Sequence, residues 1–443
     1  MRSPEPTPNG DLRRRFWRLT FYNILSNLTV PLTGLVDTAM LGHLPDIRFL
    51  AGVALGSILF DYLYWGLGFL RMGTTGTVAQ AAGRGDLAEA RGILLRTLLL
   101  ASALGFTILL LMVPIREAGF ALLAGEEAVK AAGRDYFTMR ILGAPAVLCN
   151  FVILGWLLGR ERSGLALAIT AAGNCANVVF DYLFIFHLGL NAQGAGLATA
   201  LSQYCMLVPG LVLVWRLREG NEVTRAQVLA PQRLLGLVRL NLDIMIRTMC
   251  LLTAFMLFLN FSARIGTTTL VANTLLHHLI TFAAFLIDGP ALAAEILMGG
   301  FKGSKDGASQ RRTVRLAFLS GQAITLSYLA VFFTAPAFFL SLLTDHDHIV
   351  ALAGGYYLWM IPYLLFASGA YVLDGLFLGL TRVRELRNAM LVSVIVGFLP
   401  LALLATREAD NQILWAAMTM FACARLLTLT YLFRRRGPSD PGS

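Results

Sequence analysis

Charged residues are scarce in this chain of 443 residues, since Asp, Glu, Lys and Arg together make up only 14%. A soluble domain carries roughly 25% charged residues, so this scarcity excludes an ordinary soluble globular protein. Hydrophobic residues instead reach 57%. Apolar stretches of about 20 residues, long enough to cross a bilayer core of about 30 Å, recur along the whole length. The composition therefore predicts an all-α, multi-pass membrane protein surrounded by a lipid bilayer.

Motifs for chemistry are missing as well. The sequence has no GxxxxGK[ST] loop and no HExxH helix, so nothing supports ATP-driven transport, and we expect no enzymatic activity and no cofactor. The five cysteines all lie within apolar stretches without a CxxC pair, a pattern typical of small buried side chains. The net charge of +10 is dispersed in short clusters between these stretches, so we expect no nucleic-acid partner.

The apolar stretches predict twelve membrane spans. They cover, approximately, residues 16–42, 50–81, 92–113, 136–158, 164–188, 193–216, 237–262, 270–299, 313–343, 353–380, 388–405 and 412–433. A basic stretch at 217–236 is the predicted linker between two sets of six spans, the N-lobe at 16–216 and the C-lobe at 237–433. Residues 1–15 and 434–443 are predicted to be polar tails.

The positions of Lys and Arg predict the orientation. If the N-terminus lies in the cytoplasm, the cytoplasmic segments hold 25 of these residues and the external loops hold seven, Arg140 among them. Cytoplasmic loops of multi-pass proteins carry an excess of Lys and Arg. We therefore expect both termini in the cytoplasm, in a protein of the cell membrane.

The two halves resemble each other. An offset of 220 residues aligns Gly83 with Gly303, Asp86 with Asp306, Gly155 with Gly375, and Gly159 with Gly379. Because each half starts in the cytoplasm and has six spans, both halves have the same orientation. The pattern predicts two parallel six-helix pseudo-repeats related by an axis along the membrane normal, an arrangement typical of transporters.

Two acids lie within apolar stretches of the N-lobe. Asp37 is roughly 9 Å from the outer end of the first span, and Asp181 and Thr199 lie at about the same depth in spans five and six. Asn177 is one turn deeper on the face of Asp181, and Asn150 of span four is somewhat deeper. These oxygen ligands suit Na⁺ or a shared proton, so we predict a cation- or proton-coupling site. The alternative is that each acid is a structural group with satisfied hydrogen bonds.

A second polar layer is predicted in the C-lobe, nearer the cytoplasm. It comprises Asp243, Arg247, Glu295 and Asp374, with Asp288 somewhat deeper. Asp243 and Arg247 are four residues apart on one helix, so we expect them to pair. We interpret this layer as a charge network that locks helices or forms an inner gate. Direct binding of an ion or a substrate is the alternative.

Six stretches resemble one transporter family when taken together and in this order. They are Leu35–Leu44, Leu70–Gln80, Asn177–Asp181, Gly194–Thr199, Asn241–Arg247 and Leu373–Arg382. The family is that of the MATE (multidrug and toxic compound extrusion) transporters, in particular the DinF-like subfamily. The resemblance implies a twelve-helix MATE/MOP-type V-shaped bundle that works as a monomer and exchanges organic, often cationic, compounds for H⁺ or Na⁺.

The resemblance also implies site residues. Relatives carry an acid in span one, an Asn-x-x-x-Asp in span five and a Thr in span six, which match Asp37, Asn177, Asp181 and Thr199, while Asn150 is a looser match. The metal implied is no more than Na⁺ at the two acids. 

The first span departs from the family pattern. Relatives commonly have a proline early in this span, and Tyr22 occupies that position here. The only proline within the span is Pro31, which predicts a hinge there, because proline removes an intrahelical hydrogen bond.

Three functions compete. The leading hypothesis is an ion-coupled efflux antiporter for amphipathic organic molecules. The alternative within the same superfamily is a flippase for a lipid-linked substrate, which would require several cations facing phosphates, and only Arg71 and Arg247 are evident within the spans outside span twelve. A scaffold or receptor is a third hypothesis, against which the buried acids and the pseudo-repeat argue.

Overall fold

The computed structural model describes residues 8–44, 46–217, 223–228, 230–344 and 346–436, and every regular element in these ranges is helical. The α-helices of the first half are α1 (Pro8–Gly42), α2 (Ile47–Leu67), α3 (Phe69–Gly83), α4 (Leu87–Leu110), α5 (Met112–Leu122), α6 (Glu127–Arg140), α7 (Ala144–Gly159), α8 (Ser163–Asp181), α9 (Asn191–Arg216) and α10 (Arg225–Val228). Those of the second half are α11 (Pro231–Ile265), α12 (Thr267–Gly303), α13 (Gly307–Thr334), α14 (Pro336–Ser341), α15 (Asp347–Gly354), α16 (Met360–Gly379), α17 (Val383–Val392), α18 (Leu399–Glu408) and α19 (Asn411–Arg436). Two π-helical turns, Tyr182–His187 and Ser393–Phe398, follow α8 and α17.

The helices confirm the predicted multi-pass bundle. Within the described ranges, eleven helical segments are long and apolar enough to cross a membrane, and α1, with 35 residues, precedes them. Several predicted spans are each built from more than one helix: α2 and α3 meet at Gly68 in one of them, and a 3₁₀ turn joins α6 to α7 in another. The central part of the predicted linker, residues 218–222, lies outside the described residues, as do residues 1–7 and 437–443 of the predicted tails.

Close helix packing in the first half depends on two glycines of α7. A Cβ atom on Gly155 would lie 2.6 Å from the carbonyl oxygen of Arg71, and one on Gly159 would lie 2.7 Å from that of Thr75. Both oxygens belong to α3. The absence of side chains at these two positions, four residues apart, therefore lets the backbones of α7 and α3 meet, as small residues do between membrane helices.

The second half repeats this contact at the offset of 220 residues. A Cβ atom on Gly375 of α16 would lie 2.2 Å from the carbonyl oxygen of Ala291, and one on Gly379 would lie 2.3 Å from that of Glu295. All four residues are the offset equivalents of those in the first half. The glycine alignment seen in the sequence therefore reflects one packing motif used twice.

Loops follow the same offset. Asp86 and Asp306 both cap a helix, accepting hydrogen bonds from the backbone N–H of Glu89 at 2.9 Å and of Ser309 at 3.0 Å. Left-handed backbone also recurs in three pairs of positions: Gly85 and Lys305, Glu161 and Thr381, and Gly189 and Ala409. These shared details confirm the two six-helix pseudo-repeats.

Replacing Gly375 by Ala is expected to destabilise the fold by about 1–3 kcal/mol, because the new methyl group forces α16 away from α12. Thermal unfolding in detergent would measure this as a lowered midpoint. Gly300→Ala is the matched control, since a Cβ atom at that position of α12 meets no atom within 4 Å. Equal unfolding midpoints for the two variants would contradict the packing role of Gly375.

The described residues form two compact units. Leu25–Asn241 form one, called the N-unit, and residues 8–24 together with 242–436 form the other, called the C-unit. The beginning of α1 thus belongs to the C-unit, where Leu12 and Phe16 are buried on one face of the helix.

The helix α1 has no break in its backbone. It continues through Tyr22, the position of the family proline, and through Pro31. The Tyr22 ring packs edge-on against Phe21, with 5.9 Å between the ring centroids. The side chain of Pro31 lies outside the described residues, so a hinge there stays a prediction.

Candidate ion-coupling site

Asp181 is the last residue of α8 and is fully buried, with none of its surface exposed. The π-helical turn Tyr182–His187 starts directly after it. Such turns widen the backbone and frequently occur at functional sites. Asn174 and Asn177 lie seven and four residues earlier, on the same face of α8. The end of this helix therefore presents a polar edge within the N-unit.

Asp37 of α1 lies next to Asp181, and the two carboxyl groups act on each other electrostatically. One oxygen of Asp37 and both oxygens of Asp181 are buried and accept no hydrogen bond from a donor group of the described residues. Two negative charges in contact repel each other strongly away from water. A proton or a small cation between the two groups would offset this repulsion with its positive charge. The proton would supply the missing hydrogen-bond donor, and the cation would take the carboxylate oxygens as ligands.

The polar companions of the acid pair differ in their roles. Asn177 is buried, and its amide nitrogen has no acceptor among the described residues. Thr199 donates its hydroxyl proton to the backbone oxygen of Ala195 at 2.9 Å, so the hydroxyl oxygen keeps its lone pairs for a ligand. Both residues lie on helices of the N-unit and stay candidates for the coupling site.

Asn150 is engaged elsewhere. Its amide nitrogen donates to the backbone oxygen of Gln203 at 2.9 Å and to the side-chain oxygen of the same residue at 3.1 Å. These bonds join α7 to α9. The side-chain oxygen of Asn150 is buried and has no donor among the described residues, so it is the atom by which this residue would contribute to a polar site.

The expectation that Arg140 lies in an external loop is wrong. It is the last residue of α6, inside the candidate span Glu127–Gly159. Its guanidinium donates to the hydroxyl of Tyr136 at 2.6 Å and lies 4.4 Å from the centroid of the Phe60 ring. The charge count missed Arg140 because it treated residues near a predicted span end as solvated.

Arg140 adds a positive charge near the acids. It acts electrostatically on Asp37 and on Asp61 of α2. One guanidinium nitrogen, Nε, is buried without an acceptor among the described residues. Arg140 therefore partly balances the charge of Asp37 and Asp61 before any ion binds. The sequence signal for Arg140 is its i, i+4 spacing from Tyr136, which places both side chains on one face of α6.

In the C-unit the expected pairing of Asp243 with Arg247 is wrong. Arg247 instead forms an ion pair with Asp374 of α16, and Arg425 of α19 binds the same oxygen of Asp374. All three are almost fully buried. A buried guanidinium needs a carboxylate, and Asp374 serves two of them, so the tertiary pairing prevails over the local one. Arg425 was missing from the predicted layer.

The other members of the predicted C-lobe layer surround this cluster. Asp243 pairs with Arg387 of α17 at 2.5 Å. Asp288 acts electrostatically on both Arg247 and Arg425, and Glu295, which is 1% exposed, acts on Arg247. Charges of both signs are therefore interleaved here. This arrangement fits the interpretation as a charge network, and the geometry of the described residues singles out no substrate position.

Comparison with known sequences finds a matching family model and similar proteins. The sequence model of the MatE family matches residues 23–183 and 244–403, one stretch in each predicted lobe. The chain is 36% identical over 424 residues to DNA damage-inducible protein F of Escherichia coli strain K12, covering 95% of this chain and 92% of that protein. It is 24% identical over 425 residues to the probable multidrug resistance protein NorM of Bacillus cereus, covering 91% and 89%.

Solved structures share the fold. A MOP superfamily transporter from Pyrococcus furiosus superposes with a TM-score of 0.86 at 19% identity, over 96% of each chain. An outward-facing multidrug resistance MATE family transporter of the MOP superfamily gives 0.85 at 19% identity, over 98% of each chain. At this identity the likeness concerns the helical architecture alone.

Proposed function

Since this chain belongs to the MatE family, we propose that it is a secondary active efflux antiporter that exports amphipathic or cationic organic compounds in exchange for H⁺ or Na⁺. The names of relatives support drug efflux, because NorM of Bacillus cereus is described as a probable multidrug resistance protein. The match to DNA damage-inducible protein F confirms the DinF-like resemblance that the motifs predicted.

The coupling proposal is based on the position of Asp37 next to Asp181. Three of their four oxygens are buried and lack a donor among the described residues. We expect a cationic substrate and the coupling ion to compete for this negative site. Ion binding neutralises the pair and removes its attraction for the substrate, and differential affinity of this kind is what shifts a two-state transporter between its conformations.

The flippase alternative is less well supported. A phosphate group would be repelled by the acid pair of the N-unit. The buried arginines of the C-unit are also already engaged, since Arg247 and Arg425 share Asp374. The relatives named for multidrug resistance do not favour it either.

We propose that the protein lies in the cell membrane as a monomer with both termini in the cytoplasm, in agreement with the excess of Lys and Arg in the predicted cytoplasmic segments. We further propose the predicted lobes, 16–216 and 237–433, as the parts that move between conformations.

Efflux driven by separately imposed gradients tests the function. The purified protein is reconstituted into liposomes loaded with ethidium, and a pH gradient or a Na⁺ gradient is imposed in turn. One of the two gradients is expected to accelerate ethidium efflux above the leak rate of protein-free liposomes that are loaded in the same way. The gradient that does so identifies the coupling ion. Leak-rate efflux under both gradients would refute antiport of this substrate.

A further inference from the structure

An open groove of about 570 Å³ lies away from the acid pair, between the beginning of α1 and α13, within the C-unit. Three arginines line it: Arg13 from α1, and Arg312 and Arg315 from α13. All three side chains are exposed. The groove therefore has a concentrated positive charge contributed by both of its helices.

The arginines of the groove are not neutralised by the protein. Among the residues that the structure describes, no carboxylate forms an ion pair with Arg13, Arg312 or Arg315. The acid that caps α13 is Asp306, whose pKa is lowered mainly by its hydrogen bond with Ser309 and only slightly by Arg312. The positive charge of the groove is thus available to an external anion.

Apart from Ser320 of α13, the rest of the groove is apolar. Trp17 of α1 lines it one turn beyond Arg13, and it is 43% exposed. On α13 the lining continues through Leu316, Leu319 and Ala323, with Leu319 60% exposed. Exposed Trp near the end of a membrane helix is typical of the interface between headgroups and hydrocarbon. The groove therefore changes from cationic to apolar along the helix axis.

The length over which the groove changes from cationic to apolar is similar to the thickness of one leaflet of the bilayer core. Arg312 and Ala323 are eleven residues apart on α13, which corresponds to about 16 Å along the helix. Half of a bilayer core of about 30 Å is similar. Because the cationic end and the apolar wall are in the order of a lipid's headgroup and acyl chain, we propose that this groove binds an anionic phospholipid. The phosphate meets the three arginines, and one acyl chain lies against Trp17 and Leu319.

Lipid binding to purified, full-length protein tests the proposal. Phosphatidylglycerol or phosphatidylcholine is titrated into the protein in detergent, and bound lipid is counted by native mass spectrometry. The triple variant R13Q/R312Q/R315Q is expected to bind phosphatidylglycerol on the order of 100-fold more weakly, because each arginine near an anionic lipid contributes about 1 kcal/mol. Phosphatidylcholine is expected to bind weakly to both proteins.

A matched control separates the groove from general charge attraction. The triple variant R14Q/R18Q/R311Q removes three exposed arginines from the same two helices, none of which lines the groove. It is expected to bind phosphatidylglycerol within about twofold of the unmodified protein. Equal losses in both triple variants, equal binding of the two lipids, or displacement of the lipid by millimolar inorganic phosphate alone would each overturn the proposal. Because these assays measure no transport, they are independent of the proposed antiport.

Discussion

Replacing Asp37 by Asn is expected to reduce gradient-driven efflux to the leak rate of protein-free liposomes, while membrane insertion is retained. Asn keeps the size of the side chain but cannot be ionised, so the pair with Asp181 loses one of the two carboxylates that bind the coupling ion. The single carboxylate of Asp181 is no longer forced to share a proton or cation with a second acid, so the ion-bound and ion-free states lose the difference in free energy that the pair gives them. A transporter without that difference in free energy cannot couple a gradient to efflux.

The measurement is the ethidium assay in proteoliposomes with the active gradient imposed. Asp135→Asn is the matched control, because Asp135 is an exposed acid on α6 and the chemical change is the same. The control variant is expected to transport at the rate of the unmodified protein. Undiminished efflux by the Asp37 variant would refute the coupling role of this residue.

Replacing Asp374 by Asn is expected to cost about 3–5 kcal/mol of folding stability, because it leaves the buried charges of Arg247 and Arg425 without a carboxylate. Asn can accept a hydrogen bond but carries no negative charge to offset two guanidinium groups. The expected observation is a strongly lowered midpoint of thermal unfolding in detergent, followed by the fluorescence of the tryptophans.

Asp243→Asn is the graded control for this experiment. Its partner Arg387 keeps 29% of its side chain exposed, so the unpaired guanidinium can turn to water. We expect a loss of about 1 kcal/mol there, in the range of partly exposed ion pairs. A loss at Asp374 no larger than that at Asp243 would contradict the central position of Asp374 in the C-unit.

The architecture was predictable because it depends on patterns that are local in the sequence. Apolar stretches gave the helices, and the glycine pairs at 155 and 159 and at 375 and 379 mark the same backbone contacts in each half. The proximity of Asp37 to Asp181 was also predictable, because their estimated depths in the first and fifth spans are about the same. An acid without a partner inside a membrane span has a large free-energy cost. The sequence reveals this cost, because both acids lie within apolar stretches.

The wrong expectations concern long side chains near helix ends and between helices. Arg140 is at the end of α6, where counting charges by position cannot tell a solvated arginine from one that packs on Phe60. The local spacing of Asp243 and Arg247 suggested a pair, yet α16 and α19 bring Asp374 and Arg425 to the same place. Asp374 and its two arginine partners are 51 and 127 residues apart and lie on different helices, and a single sequence does not specify which of such residues face each other.

The most direct test of the account is the release of the coupling ion when substrate binds to purified protein. The protein in weakly buffered detergent solution receives tetraphenylphosphonium, while a pH electrode and a Na⁺-selective electrode follow the solution. The unmodified protein is expected to release H⁺ or Na⁺ on binding, and the D37N/D181N variant is expected to release neither. Undiminished release by that double variant would contradict the claim that Asp37 and Asp181 form the coupling site.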